Sequence, residues 1–202
     1  MMKSQKGFTI VELLIATTVF SVILLMISYG LINISKIYTK SVNQSRTQET
    51  ARSVADLVAQ AVQFGGASVQ PVTNGSGDSG YCIGNKRFSY RINRQVENNA
   101  EGVLLFDQGA DCTEAQNLSD ISSLPFDVQE LLAEGMFLKE FEVNPIGSGG
   151  LVQVVVHVMF LPTGEDPTSS DLLNGTQDSC SSNSGSEFCA SSKLETIVEK
   201  RI

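Results

Sequence analysis

Residues 8–34, FTIVELLIATTVFSVILLMISYGLINI, form an apolar run with one charge, Glu12. As an α-helix its 27 residues extend about 40 Å, while a bilayer core is about 30 Å thick. The run is too long for the apolar region of a secretory signal peptide. The small residue that could mark a cleavage site, Gly7, precedes it instead of following it. A simple anchor has no use for Glu12, because an acidic side chain near the bilayer centre costs about 2.5–3.5 kcal/mol. Glu12 sits near one end of the run, where the cost is smaller, but it still calls for a partner. A short leader, MMKSQKG, carries Lys3 and Lys6. Its position, together with cysteines only beyond the run, places the N-terminus initially in the cytoplasm.

The rest of the chain is polar and rich in Gly, Ser and Asn. The formal charge is −8; without the leader's two lysines, 12 basic residues face 22 acidic ones, a net −10. That balance excludes nonspecific nucleic-acid binding by the whole surface. Four cysteines, Cys82, Cys112, Cys180 and Cys189, form no CxxC pair, and the single histidine, His157, is not near one. Disulfides are expected rather than zinc. Of the three pairings, neighbour pairing is preferred: Cys82–Cys112 and Cys180–Cys189. The loop-entropy model gives these roughly 3.6 and 2.7 kcal/mol.

No proline interrupts residues 8–64. Beyond the apolar run, Ala51, Ala55, Val58 and Val62 recur at helical spacing, opposite Gln48, Glu49, Arg52 and Asp56. Gly65-Gly66 is a stop signal. One helix of about 85 Å is predicted, its apolar stripe packing on a head, with Gly30 as its soft point. The head reads as strands at 103–106, 136–143, 151–161 and 194–202 and a short helix at 127–134. Polar loops are expected at 73–80 and 163–192, and a tight turn at 147–150. A further strand is expected where Phe88, Tyr90 and Ile92 alternate with Arg87, Ser89 and Arg91. The fold class is α+β, one antiparallel sheet covered by the helix. The organisation is leader 1–7, apolar helix 8–34, amphipathic helix 35–66 and β-rich head 67–202.

Gly7-Phe8-Thr9-Ile10-Val11-Glu12, behind a basic leader and ahead of a long apolar run, resembles the processing motif of type IV pilins and type II secretion pseudopilins. The resemblance implies the pilin fold, cleavage between Gly7 and Phe8 by a prepilin peptidase, and N-methylation of Phe8. It implies partners too: the membrane before assembly, an inner-membrane assembly platform, and other pilin subunits through their N-terminal helices. In a filament, Glu12 of one subunit would meet the Phe8 amine of its neighbour and set register. More narrowly, RTQETARSVADLVAQAVQFGG and LETIVEKRI resemble minor pilins and pseudopilins of the PilW/PulJ type. The reading is a minor subunit of a type IV pilus, with two alternatives: a pseudopilin of a type II secretion system, or a tip adhesin or DNA-uptake pilin.

Lys86, Arg87, Arg91 and Arg94, interleaved with Phe88 and Tyr90, are the candidate patch for DNA or a surface ligand. The plainer reading is a solvated strand face with the aromatics in the core. His157 has no nucleophile motif beside it and reads as a surface or sheet-packing residue. No catalytic motif, metal set or cofactor loop is present, and the loop aspartates lack calcium-loop spacing, so neither an enzyme nor a cofactor is expected.

Overall fold

The computed structural model describes residues 9–65, 68–96, 101–108, 112–121, 127–147, 150–161 and 188–201. One helix, α1 (Ile10–Phe64), is followed by eight strands: β1 (Val69–Thr73), β2 (Ser79–Ile83), β3 (Lys86–Tyr90), β4 (Leu104–Gln108), β5 (Gln129–Glu130), β6 (Met136–Ile146), β7 (Leu151–Phe160) and β8 (Ala190–Glu199). The arrangement is α+β, as expected. The chain divides into two units, Met1–Thr39 and Lys40–Ile202.

In the first unit the helix buries none of its apolar run; Ile15, Phe20 and Leu25 are more than half exposed. Gly30 does not break it. In the second unit, the stripe predicted from Ala51, Ala55, Val58 and Val62 is buried. The helix ends at Phe64, and the Gly65 N–H makes the last i→i−4 bond of its ladder, to the Ala61 carbonyl at 2.8 Å. A Cβ at Gly65 would lie 2.4 Å from that oxygen.

Two antiparallel sheets replace the single expected one. The first runs β1-β2-β3-β4-β5 and the second β6-β7-β8. An isolated antiparallel bridge pairs Gln95, in the segment after β3, with Phe137 of β6. Ile83, Phe88, Leu104 and Phe106 of the first sheet share one core with the helix stripe and with Phe141, Val154, Val156 and Val158 of the second. In β7, Val154, Val156 and Val158 alternate onto this core, and Val155, His157 and Met159 on the other face are buried as well.

Three local expectations are corrected. Residues 127–134 are not a helix: β5 pairs with β4, placing Glu130 opposite Leu105. Strands β1 and β2 occupy part of what reads as loop. Pro71 lies in β1, at the sheet's edge, where a missing N–H is harmless. The β1–β2 turn is held by Asn74, whose Oδ1 accepts the N–H groups of Ser76 and Asp78, both at 2.9 Å. Finally, β8 begins at Ala190, inside the expected loop, whose residues 163–187 lie outside the described residues. The turn between β6 and β7 fits its sequence, with Gly147 and Gly150 at φ of 63° and 76°.

Candidate assembly site

Gly7 and Phe8 lie outside the described residues; Thr9 and Glu12 do not. Glu12 Oε2 accepts the backbone N–H of Thr9 at 3.0 Å and its hydroxyl at 2.7 Å. The Glu12 N–H in turn reaches Thr9 Oγ1 at 3.3 Å. This is a capping box, the reciprocal pairing of a Thr with a Glu three residues on. It satisfies two of the N–H groups a helix start leaves open, where no bilayer water could do so. The role of Thr9 was legible in Thr9-Ile10-Val11-Glu12 but escapes a reading that assigns Glu12 only to an intermolecular partner. Among the described residues, Glu12 Oε1 has no donor.

Below the cap, Glu12, Ile15, Ala16, Val19, Phe20 and Ile23 line one shallow groove. Their spacing of three and four places them on one helix face. The hydroxyls that interrupt the run, Thr17, Thr18 and Ser21, donate to the carbonyls of Leu14, Ile15 and Thr17 at 2.8–3.0 Å. These three hydroxyls are therefore satisfied within the helix itself. The site thus offers an apolar stripe headed by a carboxylate.

The candidate basic patch is not displayed as read. Arg87 lies directly opposite Asp107 in the β3–β4 register. Its Nε donates to Asp107 Oδ2 at 2.9 Å and its Nη1 to the Glu114 carbonyl at 3.0 Å. Both side chains are at most one-tenth exposed. Arg91 donates through Nε to Asp78 Oδ1 at 2.7 Å, and Arg94 pairs with Glu101 at 2.8 Å. Lys86 is half-buried. The strand face expected to be solvated is covered by the segment after Cys112. Gln116 N–H donates to Ser89 Oγ at 2.8 Å and Leu118 N–H to Asp78 Oδ2 at 3.2 Å. Asn74 Nδ2 holds the Gln116 carbonyl at 3.0 Å. A Cβ at Gly80 would lie 2.7 Å from the Phe88 carbonyl oxygen, so only glycine fits there. Alternation alone cannot reveal this cover, because the covering residues come from another part of the chain.

Cys82 and Cys112 form a disulfide with Cα atoms 5.7 Å apart, fastening one end of that cover to β2. Cys189 is also disulfide-bonded; its expected partner, Cys180, lies outside the described residues. His157 is buried in β7 with Nε2 2.8 Å from Ser191 Oγ, a packing position within the sheet. Among the described residues, no three His, Cys, Asp or Glu side chains converge as a metal site.

Residues 2–28 match the family model of the prokaryotic N-terminal methylation motif. No curated protein and no solved structure matches the chain. That motif, at the head of a long apolar helix with an α+β head behind it, supports a type IV prepilin-like protein.

Proposed function

We propose that this chain is a minor structural subunit of a type IV pilus or related filament. A prepilin peptidase cuts between Gly7 and Phe8, the new Phe8 amine is methylated, and the assembly platform moves the subunit from membrane to filament. There its helix packs among those of other pilin-like subunits. The observation that carries this reading is the exposed apolar stripe headed by Glu12. Glu12 keeps Oε2 for its own helix cap and leaves Oε1 for a neighbour's Phe8 amine. Inside an apolar bundle such a pair is tolerated, whereas a lone carboxylate is strongly disfavoured. A pseudopilus of a type II secretion system would use the same chemistry.

The test is intact mass and N-terminal sequencing of the chain from its native membrane, followed by imaging of labelled filaments. The expected product begins at Phe8 and carries one added methyl group. Glu12→Ala should reach the membrane normally but fail to enter filaments. A chain that keeps its leader, or a Glu12→Ala variant that assembles as well as wild type, would refute the reading. Label confined to filament tips marks a minor subunit, and label along the length a major one. With Arg87, Arg91 and Arg94 each held by a carboxylate, the geometry lends no support to a DNA-binding role.

A further inference from the structure

The two halves of the outer face of the β6-β7-β8 sheet differ. Paired residues share a face, and the period of two groups Leu151, Gln153, Val155, His157 and Met159 of β7 with their partners on β6 and β8. Val155, His157 and Met159 are buried. Ile146, Leu151 and Ile197, toward the β6–β7 turn, are 39%, 39% and 61% exposed. Ile146 lies directly opposite Leu151, and Ile197, opposite Gln153, is diagonal to Leu151. Side chains so placed are about 5–8 Å apart, so the three form one aliphatic patch rather than scattered exposures.

Charge supplies a second observation. Glu142 and Glu195, both opposite Val155, border the patch on one side, and Glu199, opposite Leu151, borders it on β8. All three are exposed. Two of them have neutral partners: Glu142 accepts from Asn144 Nδ2 at 2.9 Å, and Glu195 accepts from Gln153 Nε2. Lys193, further along the same face, is held by Glu140 at 2.7 Å. Counting Arg201, which follows the strand, four carboxylates stand against two cations.

The sign of this rim selects the occupant. It repels an anionic membrane or a nucleic acid. A second copy packed through the same patch would set carboxylate against carboxylate, and residues 40–202 carry 11 basic and 21 acidic residues, a net −10. Residues 162–187, with five acidic residues and no basic one, have the wrong charge to cover it. What fits is a surface whose apolar side chains are set among lysines and arginines. We propose that this half of the sheet face docks a different protein presenting such a surface. The aliphatic centre gives affinity and the carboxylates choose the partner. Docking here uses only the β6-β7-β8 sheet, so it stands or falls apart from filament entry.

The experiment places the full chain lacking its leader in phosphatidylcholine nanodiscs, with isoleucine and leucine methyl groups labelled for NMR. The probe is a short peptide of alternating leucine and lysine, titrated also against empty nanodiscs. The methyl signals of Ile146, Leu151 and Ile197 should shift, while those of Ile83 and Leu104 stay in place and show that each variant is folded. Ile197→Ser should weaken binding about tenfold. Glu142→Gln and Glu195→Gln should each weaken it about threefold, and Glu134→Gln, before the far end of β6, should change it little. Patch signals that do not move overturn the proposal. So does a peptide with serine in place of leucine that binds equally well, or a Glu134→Gln loss equal to that of Glu195→Gln, either of which would mean diffuse attraction to an acidic head. In the native membrane, a photo-crosslinker at position 197 should join the chain to a different protein where lysine or arginine adjoins apolar residues. Crosslinks to a second copy, to lipid alone, to a surface without basic residues or to nothing overturn the proposal.

Discussion

Glu130 is a carboxylate with three backbone donors and little water. Its oxygens accept the N–H groups of Val103 at 2.7 Å, Leu104 at 3.0 Å and Leu132 at 3.1 Å. Burial pushes its pKa above the ordinary value of 4.5 and outweighs these hydrogen bonds, which act in the opposite direction. The folded state therefore keeps a proton at pH values where the unfolded chain has lost it. The contribution to stability is greatest below the unfolded value and declines as pH rises through it toward the raised folded value, then levels off. Urea titrations at several pH values from about 4 to 7 should show this decline, and Glu130→Gln should flatten it. The same substitution turns one acceptor into a donor facing backbone N–H groups, and should cost about 1–3 kcal/mol at neutral pH. None of this is legible locally. Gln129-Glu130-Leu131-Leu132-Ala133-Glu134 has helix-forming composition, and the donors that decide otherwise lie more than 25 residues upstream in sequence.

At the scale of elements, period and punctuation were readable where a strand or helix has one clear face. Strand β7 announces itself through alternating valines, and the helix stripe through Ala51, Ala55, Val58 and Val62. Strands β1 and β2 do not, because Pro71 and Gly80 are weak strand formers whose places depend on partners. The start of α1 sits between these cases. Its Thr-x-x-Glu signal is local, yet the carboxylate also fits the proposed intermolecular role, and the two readings draw on different oxygens of one side chain. Thr9→Ala should remove the cap at a cost of about 1 kcal/mol while leaving Glu12 in place. Amide exchange of residues 10–13 in detergent micelles should accelerate accordingly, and Thr9→Ser should restore protection. Normal exchange in Thr9→Ala would show that the cap contributes nothing.

Across the whole molecule, the α+β class followed from a helical half and a strand-rich half, but the division into two sheets did not. Alternation assigns faces within a strand and is silent about which strands pair. The cover over the arginines was hidden for a related reason. Residues 112–118 have no period of their own and are held by Cys82, Ser89, Asp78 and Asn74. Replacing Cys82 and Cys112 with serine should cost about 2–5 kcal/mol of head stability. Hydrogen exchange should report where the loss begins. The amides of Gln116 and Leu118 should lose protection before those of β3 and β4. A uniform loss over both sheets would mean that the disulfide stabilises the fold without specifically fastening the cover.

The margins of the two sheets carry a consequence of their own. The five-stranded sheet ends on one side at β1, which contains Pro71, and on the other at β5, two residues long. In the second sheet, outer strand β6 contains Pro145, and outer strand β8 bears Lys193, Glu195 and Glu199. Proline, brevity and charge are the features by which sheets refuse an incoming strand. Heads of this kind can be crowded shoulder to shoulder without their sheets fusing into amyloid-like ribbons. Where such heads lie side by side, no strand of one continues the sheet of the next, and each stays separable from its neighbours.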